Sequence, residues 1–412
     1  MIINKRFYHK KIVLIFVLFS LLFLNLFIEY NKFLKLIDEE IYETNVEVIN
    51  IYEKTNHNIL RLKADNFEFF TNIKNDENIK KSDLLNITFI SKNLTFLDYL
   101  KGFYTTTLYF DLVPKEENFK DKIIKKIEQN HTEPLIKELF LAMFLATPIS
   151  VELRNICTNY AITHLIALSG FHLVAITFLI YWSLYFPYSY VHTRFFPYRN
   201  KKFDLLMIST LFLFYYLILT NIVPSLLRAF VMSILGILLL RSNIKIVSFE
   251  TLFFASLISL ILFPSFIFSI GFWFSVIAVL YIFLFLKYFQ NLNKYFQILF
   301  FNIWMFLVFN PIIHYFFPQT AYEQFISIIL SILFAPFFIF EIFAHIFDFA
   351  IFFDDYINSF LNYEIVSFDF KTNLYFFLFY ILLSFLAIFN KYAFYLLNFS
   401  FVVFNIFLFS KI

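Results

Sequence analysis

The chain has 412 residues, of which 60% are hydrophobic and only 15% charged, against roughly 25% charged in soluble domains. A mean hydropathy of +0.73 and repeated apolar runs long enough to cross a bilayer exclude a soluble protein and identify a polytopic membrane protein. The formal net charge of +3 gives no global basic field of the kind that gathers polyanions, and the single cysteine, Cys157, permits no intrachain disulfide and reads as a small buried side chain.

The 67 Phe and 26 Tyr accompany high Ile, Asn and Lys and low Gly, Pro and Ala, the profile of an AT-rich coding sequence. Phe therefore reads as filler of lipid-facing positions, not as a stacking platform for bases, and no single Phe is read as a ligand.

In chain order, the first apolar run, residues 12–28, follows Lys5, Arg6, Lys10 and Lys11 and precedes Glu29, Tyr30, Asn31 and Lys32, with no small-residue cleavage site. Residues 1–29 read as an uncleaved membrane anchor, its N-terminus cytoplasmic by the positive-inside rule. Residues 30–130 then fall outside the cytoplasm and carry 15 Lys/Arg and 17 Asp/Glu. Strand-like runs at VEVINIYE (46–53), NILRLKA (58–64) and LNITFIS (85–91) predict a small β-rich domain there, followed by a helix near 117–130.

Residues 135–412 form a polytopic transmembrane domain. Spans are predicted at 158–183, 203–220, 226–240, 247–263, 267–286, 296–317, 325–347, 373–389 and 392–410, with 135–149 as a short half-span. With the anchor this gives about 9–11 spans. Basic residues Arg194, Arg199, Lys201 and Lys202, then Arg241 and Lys245, then Lys287 and Lys294, fall where alternation predicts cytoplasmic loops. The acidic segment 348–371, with Asp348, Asp354, Asp355, Glu364 and Asp369, conflicts with strict alternation. A re-entrant or broken helix before it, at Pro311 or Pro336, would reconcile the two.

Several chemistries are excluded. The glycines, Gly102, Gly170, Gly236 and Gly271, stand at least 35 residues apart, so no P-loop, dinucleotide turn or nucleophile elbow exists. No cofactor is expected. The closest histidines, His164 and His172, are eight apart, which does not place two metal ligands on one helix face, so no metal is expected.

Three polar constellations stand out. HLIALSGFH, 164–172, places His164, Ser169 and His172 in an apolar stretch where polar groups are costly, and Gly170 marks a helix interruption. Ser169 and His172, three apart, read as a structural or pore-lining hydrogen bond in preference to a catalytic pair, because no orienting carboxylate accompanies them. In PSLLRAFVM, 224–232, Arg228 reads either as an anchor snorkelling to the outer interface or as a cation that meets phosphates. In GFWFSVIAV, 271–279, Gly271, Trp273 and Ser275 read first as helix packing.

Together these segments resemble the competence DNA-uptake channel family of ComEC type. HLIALSGFHL is similar to the family's HLLAISGLHV, SLLRAFVM to S-x-x-R-A-x-x-M, and Pro264 with GFWFSVIAV to P…GFxLSFxAV. FLDYLKGF, 96–103, resembles the segment closing the family's OB-like domain, and DKIIKKIEQ with ELFLAMFLATPISVEL resembles the stretch before its first core span. The likeness covers about residues 40–340 in consistent order. A glycine common in the family before the first histidine is replaced by Tyr160, Ala161, Ile162 and Thr163, leaving helix breaking to Ser169 and Gly170.

The resemblance implies an inner-membrane channel that passes single-stranded DNA into the cytoplasm during natural transformation. His164, Ser169, Gly170, His172 and Arg228 would line the DNA path, and Gly271, Trp273 and Ser275 would pack it. It implies an OB-like extracytoplasmic domain at 30–130, membrane lipid as surroundings, a periplasmic DNA receptor, a cytoplasmic helicase-type ATPase and a homo-oligomer as partners. Many relatives carry a metallo-β-lactamase-like domain; this sequence reaches Ile412 without one, so no enzymatic activity is expected. The acidic excess in 30–130 argues against a general single-strand binder, only Lys120, Lys122, Lys125 and Lys126 forming a basic cluster, so a docking role weighs equally. Two rivals stand beside this reading: a secondary transporter of a small anion, which predicts inverted repeats not visible here, and an intramembrane hydrolase using Ser169 and His172.

Overall fold

The structure is a computed structural model that describes residues 2–54, 57–73, 79–92, 94–239 and 248–410. Arg241 and Lys245 of the expected cytoplasmic loops lie outside the described residues. The chain divides into two compact units, Met1–Lys122 with Phe253–Trp273, and Ile123–Leu252 with Phe274–Ile412.

The first unit begins with the long apolar helix α1 (Ile2–Ile37) and continues into β1 (Ile41–Glu53), β2 (Asn58–Lys63), β3 (Glu68–Ile73) and β4 (Leu84–Ile90). Helix α2 (Phe96–Lys101) leads into β5 (Phe103–Tyr104) and β6 (Thr107–Val113). The strand order is β5-β3-β2-β1-β4-β6, antiparallel except for β3 with β5. Because β5 and β6 are consecutive, one stretch of chain supplies both edges of the sheet, and Thr71 and Thr107 hydroxyls meet at 2.6 Å across them. Alternation drives the pleat: Leu85, Ile87 and Phe89 of β4 point inward while their neighbours stay half-buried.

Phe69, Phe89 and Phe103 fill the interior with ring centroids 4.6–5.9 Å apart, joined by Phe33 and Leu36 from the end of α1. Helix α2 starts on a capping box in which Thr95 and Asp98 exchange backbone and side-chain bonds, and these hold the exposed Asp98 carboxyl below the usual carboxylate range. It ends at Gly102, whose φ of +87° requires glycine.

The second unit opens with α3 (Phe119–Asn130), whose first residues belong to the first unit, then α4 (Pro134–Leu145), α5 (Val151–Asn159) and the single turn α6 (Thr163–Ile166). The long apolar helices follow: α7 (Gly170–Phe195), α8 (Lys201–Leu219), α9 (Pro224–Leu239), α10 (Phe249–Leu262), α11 (Ile270–Tyr288), α12 (Lys294–Phe316) and α13 (Ile326–Ile346). The two-residue strand β7 (Gln319–Thr320) precedes α13. The chain closes with α14 (Asp354–Leu361), β8 (Phe368–Asp369, paired with β7), α15 (Leu374–Leu386) and α16 (Lys391–Phe409). Helices α10 and α11 each cross from one unit to the other along the chain.

Among the described residues, seven helices are long and apolar enough to span a membrane, and three shorter apolar ones accompany them. Their outward faces are aromatic and aliphatic: Trp182 is 59% exposed and Phe186 65%, an arrangement stable only against lipid. The protein is a polytopic α-helical membrane protein with a β-sheet domain near its N-terminus.

Two details differ from expectation. The span expected at 158–183 starts at Gly170, because Ala161 turns left-handed and Ala167 and Ser169 are extended. Neither Pro311 nor Pro336 breaks its helix. Pro311 has no N–H to give the Leu307 carbonyl, but Asn405 Nδ2 of α16 donates to that carbonyl at 2.9 Å. Asn310 also donates to Asn405 at 2.6 Å, and Tyr380 of α15 to the Val308 carbonyl at 2.8 Å, so polar groups fasten α12, α15 and α16 across an apolar core.

Candidate functional site

HLIALSGFH is a turn, an extended loop and a helix start. Ser169 caps α7: its Oγ accepts the Phe171 N–H at 3.3 Å, and His172 Nδ1 lies 3.2 Å from the Ser169 N–H. A backbone N–H only donates, so Nδ1 is the acceptor and a neutral His172 ring carries its hydrogen on Nε2. That Nε2 has no hydrogen-bond partner among the described residues. The ring is fully buried and edge-on to Phe334 and Phe338 of α13, with centroids 5.2 and 4.8 Å away. An unpaired buried donor costs about 1–3 kcal/mol.

His164 does a different job. Its Nδ1 lies 2.9 Å from the Ala161 carbonyl and its Nε2 3.1 Å from Ser331 Oγ of α13, and the residue is exposed. Both histidines thus address α13, at Ser331 and at Phe334 and Phe338, one and two turns further along.

Arg228 is brought to the same place by close helix packing. A Cβ on Gly170 would lie 3.1 Å from Ala229 Cβ and 3.9 Å from Arg228 Nη2, so the missing side chain lets α7 meet α9. Ser225 ties the junction by donating to the Leu168 carbonyl at 2.5 Å. Arg228 is only 4% exposed, so it is not a snorkelling interfacial anchor. Its Nε donates to Ser275 Oγ at 2.6 Å and its Nη1 to Met232 Sδ at 3.1 Å. Among the described residues no carboxylate pairs with it. A full positive charge with only a hydroxyl and a thioether for acceptors is expensive and ready for an anion.

Gly170, Arg228 and Ser275 therefore meet at the α7–α9 crossing, while Ser169 caps α7 and His172, two residues beyond Gly170, faces α13; Ser275 serves as a polar partner as well as a small packing residue. Gly271 and Trp273 belong to the first unit. A Cβ on Gly271 would touch only Ser269 Oγ at 3.8 Å, and Trp273 donates to the Ile267 carbonyl at 2.8 Å. The Ser169–His172 pair is built as a helix cap, with the serine oxygen and the histidine Nδ1 both accepting backbone N–H groups.

A second buried polar centre was not singled out from the sequence. His131 Nδ1 sits 2.9 and 3.0 Å from the two Asp354 carboxyl oxygens, and its Nε2 lies 3.0 Å from His345 Nε2. His345 Nδ1 lies 2.8 Å from the Glu341 carbonyl, and the fully buried Glu341 carboxyl has no hydrogen-bond partner for either oxygen among the described residues. His131 and His345 are 214 positions apart, which hides the pair in the sequence. The readable signal was Glu341 and His345 at i and i+4 inside an apolar span.

The model of the family described as competence protein matches residues 147–410. The chain belongs to the competence protein family. The match contains every residue of the α7–α9 constellation, together with Glu341, His345 and Asp354, while the β-sheet domain precedes it. An uncharacterized protein of Aquifex aeolicus (strain VF5) is 28% identical over 234 residues, 56% of this chain and 48% of that protein. The match thus spans about half the length of that relative. No solved structure matches.

Proposed function

We propose that this competence-family protein acts in DNA uptake as an inner-membrane channel that passes single-stranded DNA into the cytoplasm. The observation that carries the reading is Arg228, a buried guanidinium at the α7–α9 crossing without a carboxylate partner among the described residues. Guanidinium binds phosphate through a fixed fork of donors, and a DNA backbone offers such an acceptor at every nucleotide. His172 Nε2–H, on the α13-facing side of α7 and without a partner among the described residues, is a donor for the same kind of acceptor. In this reading the cap at Ser169 and the close approach at Gly170 position both donors, and exposed His164 adds a polar group on the same side of α13. For Gly271 and Trp273 the proposed role is packing within the first unit, where Trp273 is fastened to the Ile267 carbonyl.

The domain boundaries proposed are 1–29 for the anchor, 30–130 for the extracytoplasmic domain and 135–412 for the channel. The sheet order, with β3 parallel to β5, supports an OB-like assignment for 30–130. With the N-terminus cytoplasmic, that domain faces a periplasmic DNA receptor. No phosphate-binding glycine loop is present in the sequence, so a cytoplasmic helicase-type ATPase supplies the pull. Assembly as a homo-oligomer is part of the proposal.

The test is deletion of the gene, followed by transformation and location of labelled DNA. The reading expects surface capture without cytoplasmic entry, and complementation restores entry. Replacing His172 or Arg228 with Ala in an inserted, stable protein reproduces the loss. Undisturbed transformation in the deletion strain would instead favour transport of a small anion, which the unpaired Arg228 would also bind.

A further inference from the structure

The DNA-path reading leaves Glu341, His345, His131 and Asp354 without a task. They meet where the end of α3, the last turns of α13 and the start of α14 converge. Phe140 stacks on His131 at 4.6 Å and, with Phe144, packs edge-on to His345 at 4.8 and 4.9 Å, so the site is walled by aromatic rings.

The contacts dictate where the hydrogens are. His345 Nδ1 faces the Glu341 carbonyl, which can only accept, so Nδ1 carries a hydrogen. The Nε2–Nε2 contact of 3.0 Å between His345 and His131 needs one hydrogen between two nitrogens. His131 Nδ1 against the Asp354 carboxyl at 2.9 Å needs another. Three contacts thus require three hydrogens, whereas two neutral imidazoles and an ionised carboxylate bring two. The third is an additional, exchangeable proton.

Glu341 supplies an independent observation. Its carboxyl is fully buried, both oxygens lack partners among the described residues, and Oε2 lies 3.6 Å from His345 Nδ1, beyond hydrogen-bonding distance. A dry carboxyl so placed is tolerable only with a proton or a bound cation. Lys126 of α3 is engaged at the exposed rim, with the Ile346 carbonyl at 3.1 Å and Asp348 at 3.2 Å. Solvent reaches the site at Asp354 and at His345, whose side chains each retain 9% exposure, and of the two Asp354 is the carboxylate that ends the chain of contacts and can take up a proton from outside. Among the described residues no three His, Cys, Asp or Glu groups are arranged to hold a metal ion.

We propose that Asp354, His131, His345 and Glu341 form a proton-binding site, loaded through Asp354, whose occupancy clamps α13 to α3 and α14. Helix α13 carries the consequence to the other centre, because its Ser331, Phe334 and Phe338 touch His164 and His172. Loss of the proton removes one of the three contacts and loosens α13 beneath the α7 cap.

The test is infrared pH-difference spectroscopy on the full chain in lipid nanodiscs. The wild type is expected to show a protonated-carboxyl band and imidazole bands that titrate together. Glu341→Gln, which keeps shape and neutrality, should delete the band of the buried carboxyl, and His131→Asn should remove the imidazole component that titrates with it, leaving the signals of the other histidines and carboxylates unchanged. Three results would overturn the proposal: no buried-carboxyl band that titrates together with an imidazole band in the wild type, the same coupled bands persisting in both variants, or stoichiometric binding of Zn²⁺ or Na⁺ at these residues in place of the proton. The wild-type spectrum decides even where a variant fails to fold.

Discussion

Gly170→Leu tests the helix crossing on which the candidate site depends. The first added carbon would stand 3.1 Å from Ala229 Cβ, where ordinary carbon contacts need about 3.5–4.0 Å. The next carbons would reach toward Arg228 Nη2, already 3.9 Å from that Cβ position. α7 and α9 must part, and overpacking of this kind costs ~1–3 kcal/mol. Gly170→Ala, at the first residue of α7 where helix propensity counts for little, adds only the single methyl facing Ala229 Cβ and should cost less than the Leu variant. At ~1.4 kcal/mol per tenfold, the Leu variant should shift the folded population by about 5- to 100-fold. Thermal unfolding of the purified protein in detergent reads the first effect and transformation frequency the second. Ala229→Gly should recover part of the loss, giving a measurable coupling energy in the double-mutant cycle. Wild-type stability for Gly170→Leu, or strict additivity with Ala229→Gly, would refute the close approach.

Other expectations follow from the packing. Asn405→Leu strands the Leu307 carbonyl and should lower stability by about 1–2 kcal/mol; Pro311→Ala, which restores an N–H for that carbonyl, should reduce the penalty, as thermal unfolding will show. Gly102→Ala forces a side chain into φ +87° with its Cβ 3.3 Å from the Glu68 carbonyl oxygen, and should cost ~1–3 kcal/mol in the same assay. Asp98 is held below its ordinary range by Thr95, so its contribution is present above the unfolded carboxylate range and is lost as pH falls through the folded value. The melting-temperature gap between wild type and Thr95→Val should therefore narrow between about pH 6 and about pH 3, and a constant gap would contradict the capping box.

Much of this architecture is legible in the residues, for identifiable reasons. Asn200, Asn293, Asn373 and Asn390 cap α8, α12, α15 and α16, so the apolar runs start near where their composition changes. The strand runs at 46–53, 58–64 and 85–91 appear as β1, β2 and β4 because one face of each is buried and the alternation is clean. The interruption at Ser169 and Gly170 is readable because serine caps helices and glycine permits close approach. What escaped are consequences of three-dimensional partnership. A proline in an apolar span looks like a break until Asn405, almost a hundred residues on, meets the freed carbonyl. Arg228 near a helix start looks like a snorkel until Gly170 brings α7 across it. His131 and Asp354 carry no periodic signal at all, since their pairing depends on how α3 and α14 fold back on α13.

The proposed role of Arg228 is to meet the phosphates of a DNA strand on its way inward. The most direct measurement is the location of labelled DNA in cells whose chromosomal copy carries Arg228→Ala, with the variant protein inserted at wild-type level. Label should be captured at the surface and absent from the cytoplasm, with Arg228→Lys only partly restoring entry because a point charge lacks the guanidinium fork. Cytoplasmic label equal to wild type in Arg228→Ala would contradict it.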